Sequence, residues 1–208
     1  ATPIGNLDDL SPRALKTLDE VDLVAAEDTR HTGRLLSHFG IKTPQMALHD
    51  HNEKAASGRI LEALQAGRNV ALVSDAGTPL VSDPGFELVR AAHAAGIVVS
   101  PLPGPSAVTA ALSVSGLPSD RFCFEGFLPS RKSARQKRIG ALAGEARTMV
   151  FFESRHRIRE LMADLVGGFG AGRDAFIGRE LSKLHEQCIR ANLGTLQASL
   201  DEQGDAGR

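Results

Sequence analysis

At 208 residues the chain fits one large domain or two small ones and is long enough to bury a core. Hydrophobic residues at 42% and charged residues at 24% exclude a disordered, collagen-like or coiled-coil chain. With 24 Lys plus Arg against 25 Asp plus Glu, the net charge of −1 gives no global attraction to nucleic acid, so any polyanion must be met by a local patch. Cys123 and Cys188 are the two cysteines, without clustered Cys or His spacing. That excludes a zinc ribbon or disulfide framework and points to a reducing compartment, the cytoplasm by default. No apolar run approaches the roughly 20 residues of a membrane helix, and no charged-then-apolar leader opens the chain, so a soluble, unexported protein is expected. Trp and Tyr are absent, and any stacking on a nucleobase must use one of the nine Phe.

In the first half, apolar runs bounded by Gly and Pro alternate with helical patterns, the mark of a parallel α/β architecture. Ser11-Pro12 starts a helix to about Glu20, with Ser as cap and Pro where its missing N–H costs nothing. Val21 to Ala26 reads as a strand, Thr32 to Phe39 as a helix closed by Gly40, and Glu53 to Ala66 as a helix closed by Gly67. Asn69 to Val73 reads as a strand buried on both faces. It runs into Ser74-Asp75-Ala76-Gly77-Thr78-Pro79-Leu80-Val81-Ser82-Asp83-Pro84-Gly85. A helix from Phe86 to Ala95, a strand Ile97 to Val99, the turn Leu102 to Ser106 and a small-residue helix to about Ser115 complete a first domain, 1–117. Gly116-Leu117-Pro118-Ser119 marks the boundary. From 118 the pattern changes to strands at Arg121 to Phe127, Thr148 to Phe152 and Ala175 to Gly178. Ile158, Leu161, Met162, Leu165 and Val166 line one helix face between the last two. A second α/β domain, 118–208, is expected, cut short where Gly204 to Arg208 stand in place of a further strand.

The turns Ser74 to Gly85 and Leu102 to Ser106 each follow a predicted parallel strand, so both should lie at the carboxyl edge, where open α/β sheets place ligands. Glycines at 77, 85 and 104 permit close backbone approach, and Asp75 and Asp83 offer carboxylates to ribose hydroxyls or an ammonium. The pattern suits a nucleoside-like cofactor; the alternative is two tight turns in which Asp and Ser cap the next helix. A P-loop and the common dinucleotide fingerprint are absent from the sequence. Glu27-Asp28-Thr29-Arg30-His31 follows the Val21 strand to the same edge and supplies an acid, a base and a cation, as does Glu153 to Arg157; a solvated ion-paired loop is the competing reading. In His49-Asp50-His51-Asn52-Glu53 two imidazoles two residues apart are a candidate metal pair, against a polar loop with Asn52 capping the Glu53 helix. Arg131, Lys132, Arg135, Lys137 and Arg138 form the strongest basic cluster. On a helix starting at Ser130, Arg131, Arg135 and Arg138 share a face able to track phosphates, or form an ordinary solvated face.

Together these segments resemble the bacterial 16S ribosomal RNA (cytidine-2′-O)-methyltransferases of the tetrapyrrole-methylase superfamily. The likeness rests on Ala1 to Leu7, Ala26 to Thr32, His49 to Glu53, Ser74 to Gly85, Pro103 to Ser106, Leu117 to Phe122, Phe151 to Ser154 and Arg179 to Lys183, and covers essentially the whole chain. It departs from the pattern at Arg155, where relatives usually carry Pro, and at Gln187, where an acid is common; the family also normally has a strand run ahead of Ala1 and a Gly-Glu-led strand beyond the last residue. The resemblance implies two α/β domains with S-adenosylmethionine in the cleft between them, usually a homodimer, and methyl transfer to a cytidine 2′-hydroxyl in the decoding region of 16S ribosomal RNA within the small subunit. It places Pro3, Gly5, Ser74, Asp75, Ala76, Gly77, Asp83, Pro103, Gly104 and Ser106 around the cofactor. The chemistry of the reaction then makes Glu27, Asp28, His31 and His49 the candidates for proton handling, Arg30 for charge, and Arg131, Lys132, Arg135 and Arg138 for RNA, with no metal required. Three alternatives stay open: a methylase acting on a tetrapyrrole or a protein side chain, a metal-dependent hydrolase built on His49, Asp50 and His51, and a noncatalytic RNA-binding module.

Overall fold

The computed structural model describes residues 1–202, so the expected stop of the second domain at Gly204 to Arg208 lies outside the described residues. The chain forms two compact units, Ala1–Ala107 and a second from Val108 on, a division that falls after the first residue of the small-residue helix.

In the first unit, helices α1 (Pro12–Glu20), α2 (Thr29–His38), α3 (Glu53–Gln65) and α4 (Phe86–Ala94) surround strands β1 (Leu23–Ala26), β2 (Gln45–Ala47) and β3 (Val70–Val73). The strands form a wholly parallel sheet in the order β2-β1-β3. Every residue of β1, the central strand, is buried, whereas β3, expected to be buried on both faces, lies at the edge of this three-stranded sheet with Val73 as the one buried residue of its four. Val24 and Ala26 pack with Leu18, Leu36 and Ile41 on one face, while Leu23 and Ala25 pack with Leu48, Ala56, Ile60 and Leu88 on the other. Alternation along one strand thus builds a three-layer sandwich. The Ser11 hydroxyl accepts from Ala14 N at 3.1 Å to start α1, and Gly40, at φ +72°, follows the end of α2.

Two expectations need correction. Ile97 to Val99 pair with no strand among the described residues, and Val98 is 90% exposed. Apolar side chains made that run read as a strand, but a strand requires a neighbour to take its backbone groups. Conversely β2 joins the sheet although it is only three residues long and follows Pro44.

The second unit contains α5 (Ala107–Ser115), which begins at the division, then β4 (Phe122–Phe127), α6 (Lys132–Ala141), β5 (Thr148–Phe152), α7 (Ile158–Phe169), β6 (Asp174–Arg179), β7 (Gln187–Asn192) and α8 (Leu193–Glu202). β4 and β5 pair in parallel and β6 and β7 as an antiparallel ribbon. Leu128, Ile139, Leu161, Met162, Leu165, Leu193 and Leu196 make its core.

Arg135 is the main departure from the predicted basic face. Only 1% of its side chain is exposed, and its Nε lies 2.7 Å from Asp164 of α7, itself 5% exposed. Its other nitrogens reach Glu160 and the Ser130 carbonyl, both at 3.2 Å. Burial alone would raise the Asp164 carboxyl, but hydrogen bonds from Arg135 and Gln136 outweigh it and hold the group below its ordinary value. Arg135 therefore faces inward with Ile139, one turn on, and leaves Arg131, Lys132 and Arg138 exposed without it. Removing one partner of such a pair strands the other charge. Arg135→Met is expected to destabilise the second unit by about 3–5 kcal/mol in urea unfolding. The Arg135→Met/Asp164→Leu double variant should recover most of that loss; an equal loss in the double variant would show that the ion pair is not the cause.

Candidate active site

Parallel register brings the predicted loops of the first unit together. Ala26 lies opposite both Ala47 and Val73, so the chain leaves β1, β2 and β3 at Glu27, Leu48 and Ser74 side by side. The Asp28 N–H donates to Asp75 Oδ1 at 3.1 Å, tying the β1 and β3 exits directly.

Thr2 locks the next layer. Its N–H and carbonyl pair with Gly77 at 2.8 and 2.9 Å, and its buried hydroxyl donates to the Ser74 carbonyl at 2.8 Å. Gly77 has φ +97°, which a residue with a side chain rarely adopts. The Thr78 hydroxyl donates to the Pro105 carbonyl at 3.1 Å, and the Ala1 ammonium to the Leu102 carbonyl at 3.3 Å. The segments carrying Pro3, Gly5, Ser74, Asp75, Ala76, Gly77, Pro103, Gly104 and Ser106 are therefore one cross-linked structure. Leu80 and Ser82 hold φ +71° and +65°, backbone strain of the kind that clusters at ligand sites.

This edge concentrates negative charge. Glu27 is pushed above its ordinary carboxyl value by burial first, then by Asp83, Asp75 and Asp50, against a hydrogen bond from the Asp75 N–H. Asp83 is raised by burial and by Asp75 and Asp50, against the Ser74 hydroxyl. Asp28 behaves oppositely. Arg30 grips its carboxylate through Nε at 3.0 Å and Nη2 at 2.7 Å, the Arg30 N–H adds a bond at 2.8 Å, and its carboxyl is held far below the ordinary value. A carboxylate so stabilised is a poor proton acceptor, and Arg30 spends its charge on it. Glu27 is thus the stronger candidate base of the pair.

His31 is exposed on α2, and its backbone N–H donates to the Asp28 carboxylate. His49 is half-buried, its N–H donating to Asn52 Oδ1 at 2.8 Å, and its Nδ1 is buried without a hydrogen-bond partner among the described residues. His49 and His51 have ring centroids 6.1 Å apart, yet no group of three or more His, Cys, Asp or Glu among the described residues is arranged to hold a metal ion. Asn52 does not cap α3 with its side chain; it folds the loop back through His49 N and the Ala47 carbonyl. Arg131 and Lys132 are exposed, and Arg138 pairs with Glu125 at 2.6 Å.

Sequence reasoning missed two residues that hold the site. Besides Thr2, Glu53 accepts from the N–H groups of Gly85 and Glu87 at 2.9 and 3.0 Å, capping α4 from the start of α3. Pro84-Gly85 offers no capping side chain, which was the available signal that a cap must come from elsewhere.

Comparison with known proteins agrees with this architecture. The family described as tetrapyrrole (corrin/porphyrin) methylases matches residues 1–197. Solved structures with the same fold include diphthine synthase, with TM-score 0.72 and 18% identity over 94% of this chain and 81% of that one. Another is the uroporphyrin-III C-methyltransferase of Thermus thermophilus complexed with S-adenyl homocysteine, with TM-score 0.60 and 17% identity over 96% and 84%. Among curated sequences, the chain is 58% identical to the ribosomal RNA small subunit methyltransferase I of Xylella fastidiosa, over 96% of this chain and 73% of that protein. It is 60% identical to the protein of the same name from Pseudomonas aeruginosa, over 89% of this chain and 66% of that protein. The chain belongs to the tetrapyrrole methylase family, in the branch that holds the proteins named ribosomal RNA small subunit methyltransferase I.

The raised Glu27 carboxyl has a consequence for stability. Stabilisation from its protonated form is present below the ordinary value of 4.5 and is lost as pH rises through the raised one, so at neutral pH the ionised group strains the fold. Glu27→Gln is expected to raise the Tm near pH 7 and to leave it unchanged near pH 4. A lower Tm near pH 7 would contradict the charge cluster.

Proposed function

We propose that this chain transfers a methyl group from S-adenosylmethionine to the ribose 2′-hydroxyl of a cytidine in 16S ribosomal RNA, in the cytoplasm and on the small ribosomal subunit. The names of its relatives support a small-subunit RNA substrate, and the observation that carries the chemistry is the partly buried Glu27 amid Asp50, Asp75 and Asp83. That donor set fits the cofactor. It is rich in acceptors for ribose hydroxyls and an ammonium, and its surplus negative charge complements a cation.

When bound, the cofactor supplies an already activated methyl on a positively charged sulfur. The protein's part is then to align the ribose oxygen and to take one proton. Asp75 and Asp83 bind and orient; Glu27, whose raised carboxyl brings it closer to the pH at which a base works best, accepts the hydroxyl proton. His49, with an unpartnered buried nitrogen at the same edge, is positioned to receive or relay that proton. Asp28 and Arg30 shape the β1 exit and take no proton. Arg131, Lys132 and Arg138, exposed on or beside α6, contact phosphates. No three-ligand metal site among the described residues supports a hydrolase, and the carboxylate edge is unneeded by a mere RNA-binding module.

The test is incubation of small ribosomal subunits with the protein and isotopically labelled cofactor, followed by mass spectrometry of nuclease digests. One labelled 2′-O-methylcytidine per subunit is the expected result; label in a base or in protein contradicts it. Glu27→Gln should lower kcat by roughly 10²- to 10⁴-fold while cofactor binding by calorimetry persists. Asp75→Ala should weaken that binding, and unchanged affinity would remove Asp75 from the site.

A further inference from the structure

The carboxylate edge runs directly into α4, and the first residue of that helix is out of place for a folding role. Phe86 is 60% exposed, whereas Leu88 and Ala92 supply the buried face of the same helix. Phe39, the other phenylalanine of the first unit, packs against its core. Phe86 is also fixed in position. Glu53 holds the N–H groups on either side of it, and Gly85 takes φ +124°, where an added Cβ would lie 2.7 Å from Leu72 Cδ2. The ring is thus presented on a rigid mount, three residues from Asp83.

Its neighbours on the helix surface have a common chemistry. Phe86, Arg90 and His93 are all exposed and fall at i, i+4 and i+7 on one stripe. The Arg90 guanidinium lies over the Phe86 ring, 5.6 Å from its centroid, and is 66% exposed even though it also pairs with Glu87. Aromatic face, guanidinium and imidazole in line make a base-stacking platform, with the Arg90 cation and the imidazole N–H beside it for the adjoining phosphates. A second copy of the chain would gain little from an isolated ring with charged surroundings, whereas a nucleotide matches all three groups.

We propose that Phe86 stacks on a nucleobase of the RNA substrate, with Arg90 and His93 beside the backbone of that segment. The inference rests on the RNA reading given above and adds a recognition residue to it. Phe86 acts in binding, not in methyl transfer.

The sequence provides a clean reporter, because it holds no Trp and no Tyr. In F86W the introduced indole is the sole Trp, and its fluorescence should be quenched saturably by a cytidine-containing single-stranded RNA but not by inorganic polyphosphate. Phe86→Ala and Phe86→Leu should each weaken RNA binding by about 5- to 150-fold, seen as a higher KM for small subunits with kcat and cofactor affinity retained. F86W should stay near the parent. Equal quenching by polyphosphate, or full activity in F86L, would overturn the stacking role. Quenching that grows with protein concentration without RNA would assign the ring to a second copy instead. If the parent methylates small subunits and F86A and F86L match it in KM, this inference falls and the proposed function stands. If the parent neither methylates subunits nor binds RNA, both fall.

Discussion

Mutual repulsion among carboxylates at one sheet edge is the constraint around which the first unit is organised. Glu27, Asp50, Asp75 and Asp83 leave neighbouring strands within electrostatic reach of one another, and two of them are pushed toward their neutral forms. A fold selected for stability alone would separate them. Here they are gathered by a parallel register that puts the exits of β1 and β3 next to each other, and they are held there by the bond from Asp28 N to Asp75 and by the pairing of Thr2 with Gly77. The energy of the three-layer core is what makes that concentration tolerable.

The same edge separates two acidic residues that look alike in the sequence. Glu27 and Asp28 are adjacent, yet burial among like charges raises the first while Arg30 lowers the second. The fold therefore treats the pair differently: one group is pushed toward its neutral form, and the other caps α2 and fixes the loop. Nothing in residue type distinguishes the two; the direction each chain position faces does.

How far the sequence could be read follows from which partners were local. β1 and β3 were legible because short apolar runs bounded by turn residues leave few other structures open to them. β2 was not, because Gln45 to Ala47 has neither length nor alternation and is a strand only through β1. β7 was hidden in the same way, by polar residues on an exposed ribbon. Ile97 to Val99 failed in the opposite direction, apolar enough for a strand but without a partner among the described residues. At the site, the glycine-bearing turns and their acids were visible as motifs, whereas Thr2 and Glu53 act on residues far along the chain. Arg135 shows the limit of helical spacing. Its period placed it with Arg131 and Arg138, but Asp164, 29 positions on, turns it inward.

Carbon-13 NMR titration of the Glu27 side-chain carboxyl in the full chain addresses the central claim most directly. The account predicts a midpoint above 4.5 that moves downward when S-adenosylmethionine, and with it a positive charge, is added. A midpoint at or below 4.5, unmoved by the cofactor, would contradict it.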